Sequence, residues 1–376
     1  MTSEEKKKVE KMIITNIEVI PFKIPNKRVV VWAAGSLPAA EHLIVKIVAE
    51  DGTFGLSEAI PRPMIYGETQ AGMYHALTEH LKPMVVGQDS FNFQAIWEKF
   101  EYMPWNLAAK GAIDVALHDL NARLLNVSVA EFLGGPYRTK VPLCWQIGFG
   151  PVDEMIAEMK AKVDEGYRAF KVKGGPHPDE DIAVLREMRA NSPAGTRLYI
   201  DANMAYGRQD ALRVMRALEG VIDCLEEPMA ASDDAGRKDL AARVDVPILS
   251  DESSFTVADV YRQIRLGAIG QVGIKIPRTG FTLSRKIVHL AECANIPVQV
   301  SLQAECDFGT AAGLQFACAF RQVSLPCELT YYVDNMGDSL LRVPLVIEDG
   351  HMHLPKGPGM GVDLDWEKVD RYAISI

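Results

Sequence analysis

The sequence predicts an α/β fold: a closed barrel of parallel strands, (β/α)7β-like, preceded by an α+β portion. Three observations lead there. The chain has 376 residues, too many for one small core. Short β-rich runs alternate with helix-like segments through its second part. Polar residues near the ends of those runs recur at intervals of 24 to 28 residues, a spacing that fits a repeated βα unit.

The opening stretch, "MTSEEKKKVEKM" over residues 1–12, is charged and has no apolar h-region, so it reads as a solvated leader and not as a secretion signal. "IITNIEVIPFKI" and "HLIVKIVAEDGTFGLSEA" alternate or run apolar, and Asp51-Gly52 supplies a hairpin turn. Three helical stretches follow: "ETQAGMYHALTEHLKPMVVG", "FNFQAIWEKFEY" and "NLAAKGAIDVALHDLNARLL", the last with apolar residues at helical spacing. Gly134, Gly135 and Pro136 break the pattern, which ends the α+β portion at 1–138. The barrel strands, within 139–345, read "VPLCWQ", "AFKVKG", "RLYIDAN", "IDCLEEP", "PILSDES", "QVGIKIP", "PVQVS" and "VSLPCEL". No GxGxxG phosphate loop is present, and eight runs favour a closed TIM-type barrel over an open doubly wound sheet. A last segment, 346–376, includes the polar run "HMH", which reads as surface.

Composition narrows the function. Apolar and charged fractions of 48% and 24% are those of an ordinary globular protein. A net charge of -10 argues against nucleic acid, and no apolar run is long enough to span a membrane. Six cysteines are scattered without a CxxC pair, as expected of reduced core thiols in a cytoplasmic protein. No serine or cysteine has an evident partner histidine, which argues against covalent acyl transfer.

In such barrels the active site forms where strands end and βα loops begin. Asp201, Glu226 and Asp251 fall at the ends of strands three, four and five. One acid there could simply cap the next helix. Three on neighbouring strands would repel strongly unless a divalent cation lay between them, and hard oxygen ligands select Mg²⁺ or Mn²⁺. Glu227 and Glu252 are the alternatives within their pairs, with alternation favouring the first acid of each.

Strand two carries Lys171 and Lys173 on one face, and strand six carries Lys275. Strands two and six oppose each other across an eight-stranded mouth, so a substrate between them would meet a lysine on each face. At about 6.5 Å and an effective dielectric of about 20, a charged Lys171 would repel a charged Lys173 by about 2.5 kcal/mol, lowering its pKa toward that of a usable base. A divalent metal beside an amine base suits removal of the proton next to a carboxylate, with the metal stabilising the enediolate.

At these residues the chain resembles the enolase superfamily, and within the mandelate racemase/muconate lactonizing enzyme family it is similar to the muconate lactonizing enzyme subgroup. The resemblance rests on Lys-x-Lys, the single strand-six lysine, the Asp, Glu, Asp set, "GTFGLSEA", "AIDVALHDL", "EFLGG" and "KGPGMGVDLD". The mandelate racemase type would need a histidine on strand seven, and "PVQVSLQAE" has none. The resemblance implies that residues 1–138 form a capping domain, to which 346–376 return, closing over the barrel mouth with loops near 26–40 and 60–68. Trp32, Arg62 and Tyr66 are substrate-binding candidates there, with Asn203 at the mouth. Glu305 and Asp307, after strand seven, either bind a cationic group or line solvent.

Two departures stand out. Gly280-Phe281 replaces the family's common Gly-Gly, and "PCELTYYVDN" lacks the Asp-x-Asp that dipeptide epimerases use for the substrate ammonium. The implied activity is Mg²⁺-dependent racemisation or epimerisation of an amino-acid derivative, with Lys173 and Lys275 exchanging protons. Muconate-type cycloisomerisation, syn dehydration of a hydroxy acid, or a metal-binding barrel without catalysis are the alternatives. A small carboxylate substrate and a homo-oligomer are the expected partners.

Overall fold

The described residues of this structure, a computed structural model, are 11–32 and 35–376, without the side chains of 30–32. The charged leader therefore lies outside them except for residues 11 and 12. Strands β1 (Ile14–Trp32), β2 (Gly35–Ala49) and β3 (Phe54–Ala59) form an antiparallel sheet in that order. Leu43, Val45 and Ile47 alternate along β2 and share an apolar cluster with helix α1 (Leu107–Leu124). The Asp51 carboxylate accepts from the Thr53 amide at 2.8 Å, which fixes the predicted hairpin turn. Residues 108–122 of α1 are all buried, because the helix is held between the cap sheet and a barrel helix.

The run "VPLCWQ" divides into β4 (Lys140–Pro142) and β5 (Trp145–Ile147). Strands β5, β6 (Ala169–Lys173), β7 (Arg197–Asp201), β8 (Cys224–Glu226), β9 (Ile248–Ser250), β10 (Gln271–Ile274) and β11 (Val298–Val300) then pair in parallel in chain order. A helix follows each: α2 (Val152–Asp164), α3 (Pro178–Asn191), α4 (Arg208–Ala217), α5 (Asp234–Ala241), α6 (Val257–Leu266), α7 (Ile276–Cys293) and α8 (Asp307–Ala319).

The eighth predicted strand is corrected to a pair of bridges. Pro326 has no amide hydrogen to give a ladder, and the segment is tied on one side of it by the Ser324 and Leu325 amides to Val298 O and on the other by three further backbone bonds. Cys327 donates to Pro142 O at 2.9 Å and accepts from the Cys144 amide at 2.8 Å, while Glu328 donates to Val300 O at 2.9 Å. The ring is closed through these residues. Strands β12 (Ile347–Glu348) and β13 (His351–His353) extend β4 into a small antiparallel sheet. Beyond it the chain returns to the cap, where the Ile374 amide donates to Pro21 O. No helix among the described residues is long and apolar enough to cross a membrane.

Two buried carboxylates of the cap serve the amino ends of barrel helices. Glu58 accepts from the Cys306 and Gly309 amides at the start of α8, at 3.1 and 2.9 Å. Asp114 of α1 accepts from the Thr282 amide in α7 at 2.9 Å. Each satisfies orphan amides and meets the positive end of a helix dipole. At Gly280 the helix α7 is interrupted by a backbone with φ 60° and ψ -173°. A Cβ there would lie 2.6 Å from Asp114 Oδ2. Phe281 stacks on Phe316 and meets His118 edge-on.

Gly280→Ala is therefore expected to lower stability by about 2 kcal/mol, through the positive φ and the clash with Asp114. Urea unfolding would read this as a lower midpoint at unchanged slope. An unchanged midpoint would mean that the backbone adapts at no cost.

Candidate active site

Strand pairing sets Lys173 beside Asp201 and Asp201 beside Glu226. Asp251 and Lys275 stand one residue beyond the ends of β9 and β10. These side chains converge inside the barrel mouth, where a cavity of about 70 Å³ is lined by Lys171, Lys173, Asp201, Asn203, Asp251, Glu252 and Lys275. Leu37, Arg62 and Ile65 of the cap and Gln146, Leu302, Gln303, Ala304 and Tyr331 of the barrel complete its wall.

Lys171 is buried, and its Nζ lies 3.3 Å from Asp201, 3.2 Å from Glu226 and 2.9 Å from Glu328. Burial alone would push its ammonium down; Glu226, Glu328 and Asp201 outweigh that and hold it well above the usual lysine range. The ammonium expected to repel Lys173 is thus itself surrounded by three carboxylates. Lys173 Nζ lies 2.7 Å from Asp201 Oδ2 and donates to Asn203 Oδ1 at 2.8 Å. Lys275 donates to Asp251 Oδ2, and Arg278 donates to Asp251 Oδ1 at 3.1 Å. Against burial, those two cations hold Asp251 below its ordinary value, and Lys173 and Lys171 do the same for Asp201.

The second acid of each pair has a different setting. Glu227 Oε1 accepts from the Asp251 and Ser253 amides at 2.7 and 2.9 Å, so it shapes the loop that carries Asp251. Glu252 accepts from Asn203 Nδ2 at 3.0 Å, while its Oε2, buried at the cavity, has no partner among the described residues. Burial, then Asp251 and Glu227, push this carboxyl up to about 8.

A hard divalent cation fits the chemistry of this donor set. Asp201, Glu226 and Asp251 offer only carboxylate oxygens, and burial with the nearby Asp201 pushes Glu226 well above its ordinary value. Glu226 shares its ammonium with two other acids and is short of counter-charge. The oxygens now face the lysines, and they stand wider than a ligand cluster. Among the described residues, only His42, Glu58 and Cys306 place one ligand atom each within 4.8 Å of one another.

Of the other candidates, Arg62 and Asn203 line the cavity, while the side chain of Trp32 lies outside the described residues. Tyr66 bonds Ile60 O and packs edge-on to Phe255, fixing its own loop. Glu305 accepts from the Gln303 amide at 2.8 Å, and burial pushes it up to about 7. Asp307 accepts from Ser339 Oγ and the Leu340 and Leu341 amides, which binds α8 to the later chain.

Sequence reasoning gave Glu328 no role. It accepts from Tyr199 Oη at 2.5 Å, Gln299 Nε2 at 3.0 Å and Lys171. Its place in the 24-to-28-residue series was the available signal. His42 had none. It donates from Nδ1 to Glu58 at 2.5 Å and accepts at Nε2 from Arg62 at 3.0 Å.

Several known proteins are similar to this chain. The model of the mandelate racemase / muconate lactonizing enzyme N-terminal domain matches residues 16–134, and the enolase C-terminal domain-like model matches residues 154–369. Muconate cycloisomerase 1 of Rhodococcus opacus is 31% identical over 365 residues, 95% of this chain and 97% of that one. The N-succinyl-L-Arg/Lys racemase of Bacillus cereus is 25% identical over 370 residues, 96% and 98% of the two chains. The crystal structure of muconate lactonizing enzyme from Mucobacterium Smegmatis complexed with muconolactone superposes with a TM-score of 0.93 at 35% identity, covering 97% of this chain and 100% of that one.

Two outcomes are expected. Lys171→Met leaves three buried carboxylates without their shared cation and should destabilise by about 3–5 kcal/mol in urea unfolding; a smaller loss would mean that the acids reprotonate or pair elsewhere. His42 is held neutral, since burial and Arg62 push it below the usual range against the pull of Glu58. The unfolded chain therefore binds the extra proton first, and stability falls as pH drops below about 6.5. His42→Asn should show a shallower fall of the unfolding midpoint between pH 7 and 5.5 than the parent.

Proposed function

The chain belongs to the mandelate racemase/muconate lactonizing enzyme family of the enolase superfamily, and from that membership we propose a divalent-metal-dependent isomerase that moves the proton α to a carboxylate. The observation that carries the proposal is that Lys173 and Lys275 line one cavity with Asp201 and Asp251. One amine takes the α-proton from one face, and the other returns a proton to the opposite face. Asp201, Glu226 and Asp251 would hold the cation, Mg²⁺ with Mn²⁺ as substitute. When bound, it offsets the negative charge that develops on the substrate carboxylate. Lys171 holds Glu226 and Glu328 in place from below.

For the overall reaction we favour racemisation or epimerisation of an N-substituted amino acid. Near the barrel's last segment, Glu328 is taken up by Lys171, Tyr199 and Gln299, and Thr330 Oγ1 donates to Cys144 O. Among the described residues no acid of that segment lines the cavity, which suits an amine that is already blocked. The second reading is a muconate-type cycloisomerase. It is favoured by the 35% identity to a muconate lactonizing enzyme and needs only one lysine as the proton donor.

A panel of N-succinyl amino acids and muconolactone, incubated in D₂O with Mg²⁺, separates the two. Racemisation gives α-deuterium in both enantiomers without net conversion, whereas cycloisomerisation changes the ultraviolet absorbance as a diene acid forms. Lys173→Ala and Lys275→Ala should each cut turnover by roughly 10²–10⁴. In the racemase each variant should still exchange the α-proton of the one enantiomer that faces its remaining lysine. Chelation with EDTA should abolish activity, and Mg²⁺ or Mn²⁺ should restore it. Full activity in both lysine variants would refute the proposal.

A further inference from the structure

The imidazole of His42 lies outside the lysine cavity, yet it joins three parts of the molecule. Its Nδ1 faces Glu58, the carboxylate that takes the amides of Cys306 and Gly309 at the start of α8. Its Nε2 faces Arg62 Nη1 at 3.0 Å. Arginine can only donate, so Nε2 is the acceptor and Nδ1 carries the hydrogen. The other Arg62 nitrogen donates to Gln303 O and Ala304 O at 2.6 and 3.1 Å. Gln303, Ala304 and Arg62 itself wall the cavity, and Ala304 is held at φ 62°. Both His42 and Glu58 have side chains with no solvent exposure, so neither finds water as a substitute partner.

We propose that His42 is a positioning residue for substrate binding: as a neutral Nδ1–H tautomer it couples the cap carboxylate seated on helix α8 to the cap arginine that fixes the Gln303–Ala304 loop over the lysine cavity. The two ends of the imidazole have separable duties. The Nδ1 end orients Glu58 toward the helix amides. The Nε2 end gives Arg62 Nη1 an acceptor and holds the guanidinium in the plane from which Nη2 reaches both loop carbonyls. The metal-ligand spacing of His42, Glu58 and Cys306 is a by-product of this packing, since the carboxylate already accepts three hydrogens. The effect on substrate affinity rests on the reading of the lysine cavity as the active site; the structural coupling does not.

Two near-isosteres divide the duties. His42→Asn places an amide where Nδ1 was and offers nothing at Nε2, whereas His42→Gln reaches the Nε2 position and leaves Nδ1 empty. Amide hydrogen exchange on the full chain, with no substrate present, is expected to separate them. The Asn variant should exchange at least 5-fold faster at residues 303–305 while Cys306 and Gly309 stay protected, and the Gln variant should do the reverse. With whichever carboxylate shows α-proton exchange, His42→Asn should raise KM at least 5-fold at nearly constant kcat, and His42→Gln should bring KM back toward the parent. Equal exchange in both variants at both places would overturn the coupling. A fall in kcat at constant KM would overturn the positioning role. If no carboxylate reacts with any form while the exchange pattern holds, the active-site reading fails and the coupling stands.

Discussion

A lysine ammonium with almost no access to water is the constraint around which the barrel interior is arranged. Desolvating a charge of that kind costs several kcal/mol, and the cost is offset only by close, well-directed partners. Lys171 has three, and they come from different parts of the ring: Asp201 from β7, Glu226 from β8 and Glu328 from the closing segment. That distribution matters because the closing segment has little ladder of its own. Glu328 also accepts from Tyr199, Gln299 and the Leu302 amide, so side-chain bonds do at this seam what backbone pairing does elsewhere. Barrel closure and active-site electrostatics are therefore one network.

The cap is joined to the barrel by a similar use of buried charge. Glu58 and Asp114 each leave the cap to satisfy amides at the start of a barrel helix, where a carboxylate meets both unpaired donors and the helix dipole. An apolar interface alone tolerates sliding; hydrogen bonds to specific amides fix a register. Arg62 and Ile65 follow the end of β3 by a few residues, and Leu37 lies on β2, so that register also sets the height of the cap wall over the lysines.

Much of this was legible in the sequence. Repeats every 24 to 28 residues gave the parallel barrel, because one strand, one helix and two short connections need about that length. The acids and lysines were readable because alternation on a strand dictates which side chains share a face. The missing parts have physical reasons. Pro326 interrupts the last strand, and a hydrophobic run does not reveal that its ladder has shrunk to bridges. The electrostatics of Lys171 depended on where Glu328 points, which is a matter of barrel closure and not of local pattern. His42 and Glu58 looked like ordinary strand residues, since the Cys306 and Gly309 amides that Glu58 accepts from lie 248 and 251 positions away along the chain. Gly280-Phe281 read as a departure, whereas the structure makes it a steric necessity at Gly280 and a core aromatic at Phe281.

A division of labour in the fold explains why the type of chemistry is easier to assign than the substrate. The lysines and the acids beside them stand at the ends of barrel strands, where pairing leaves them little positional freedom. The cap contributes Leu37 from the start of β2, Arg62 and, from the short helix Pro63–Tyr66, Ile65 to the wall, and of these Arg62 is tied to the barrel through Gln303 O and Ala304 O. A change in those side chains can alter which molecule fits without disturbing the lysines. In the proposed function the same partial reaction, removal or return of a proton beside a carboxylate, serves racemisation when both amines reach the α-carbon, and cycloisomerisation when one amine protonates a carbon at the end of a conjugated acid. On that proposal, the way the wall orients the carbon chain between the two lysine nitrogens decides which of the two occurs, and the amide bonds of Glu58 and Asp114 across the cap–barrel contact fix where that wall stands.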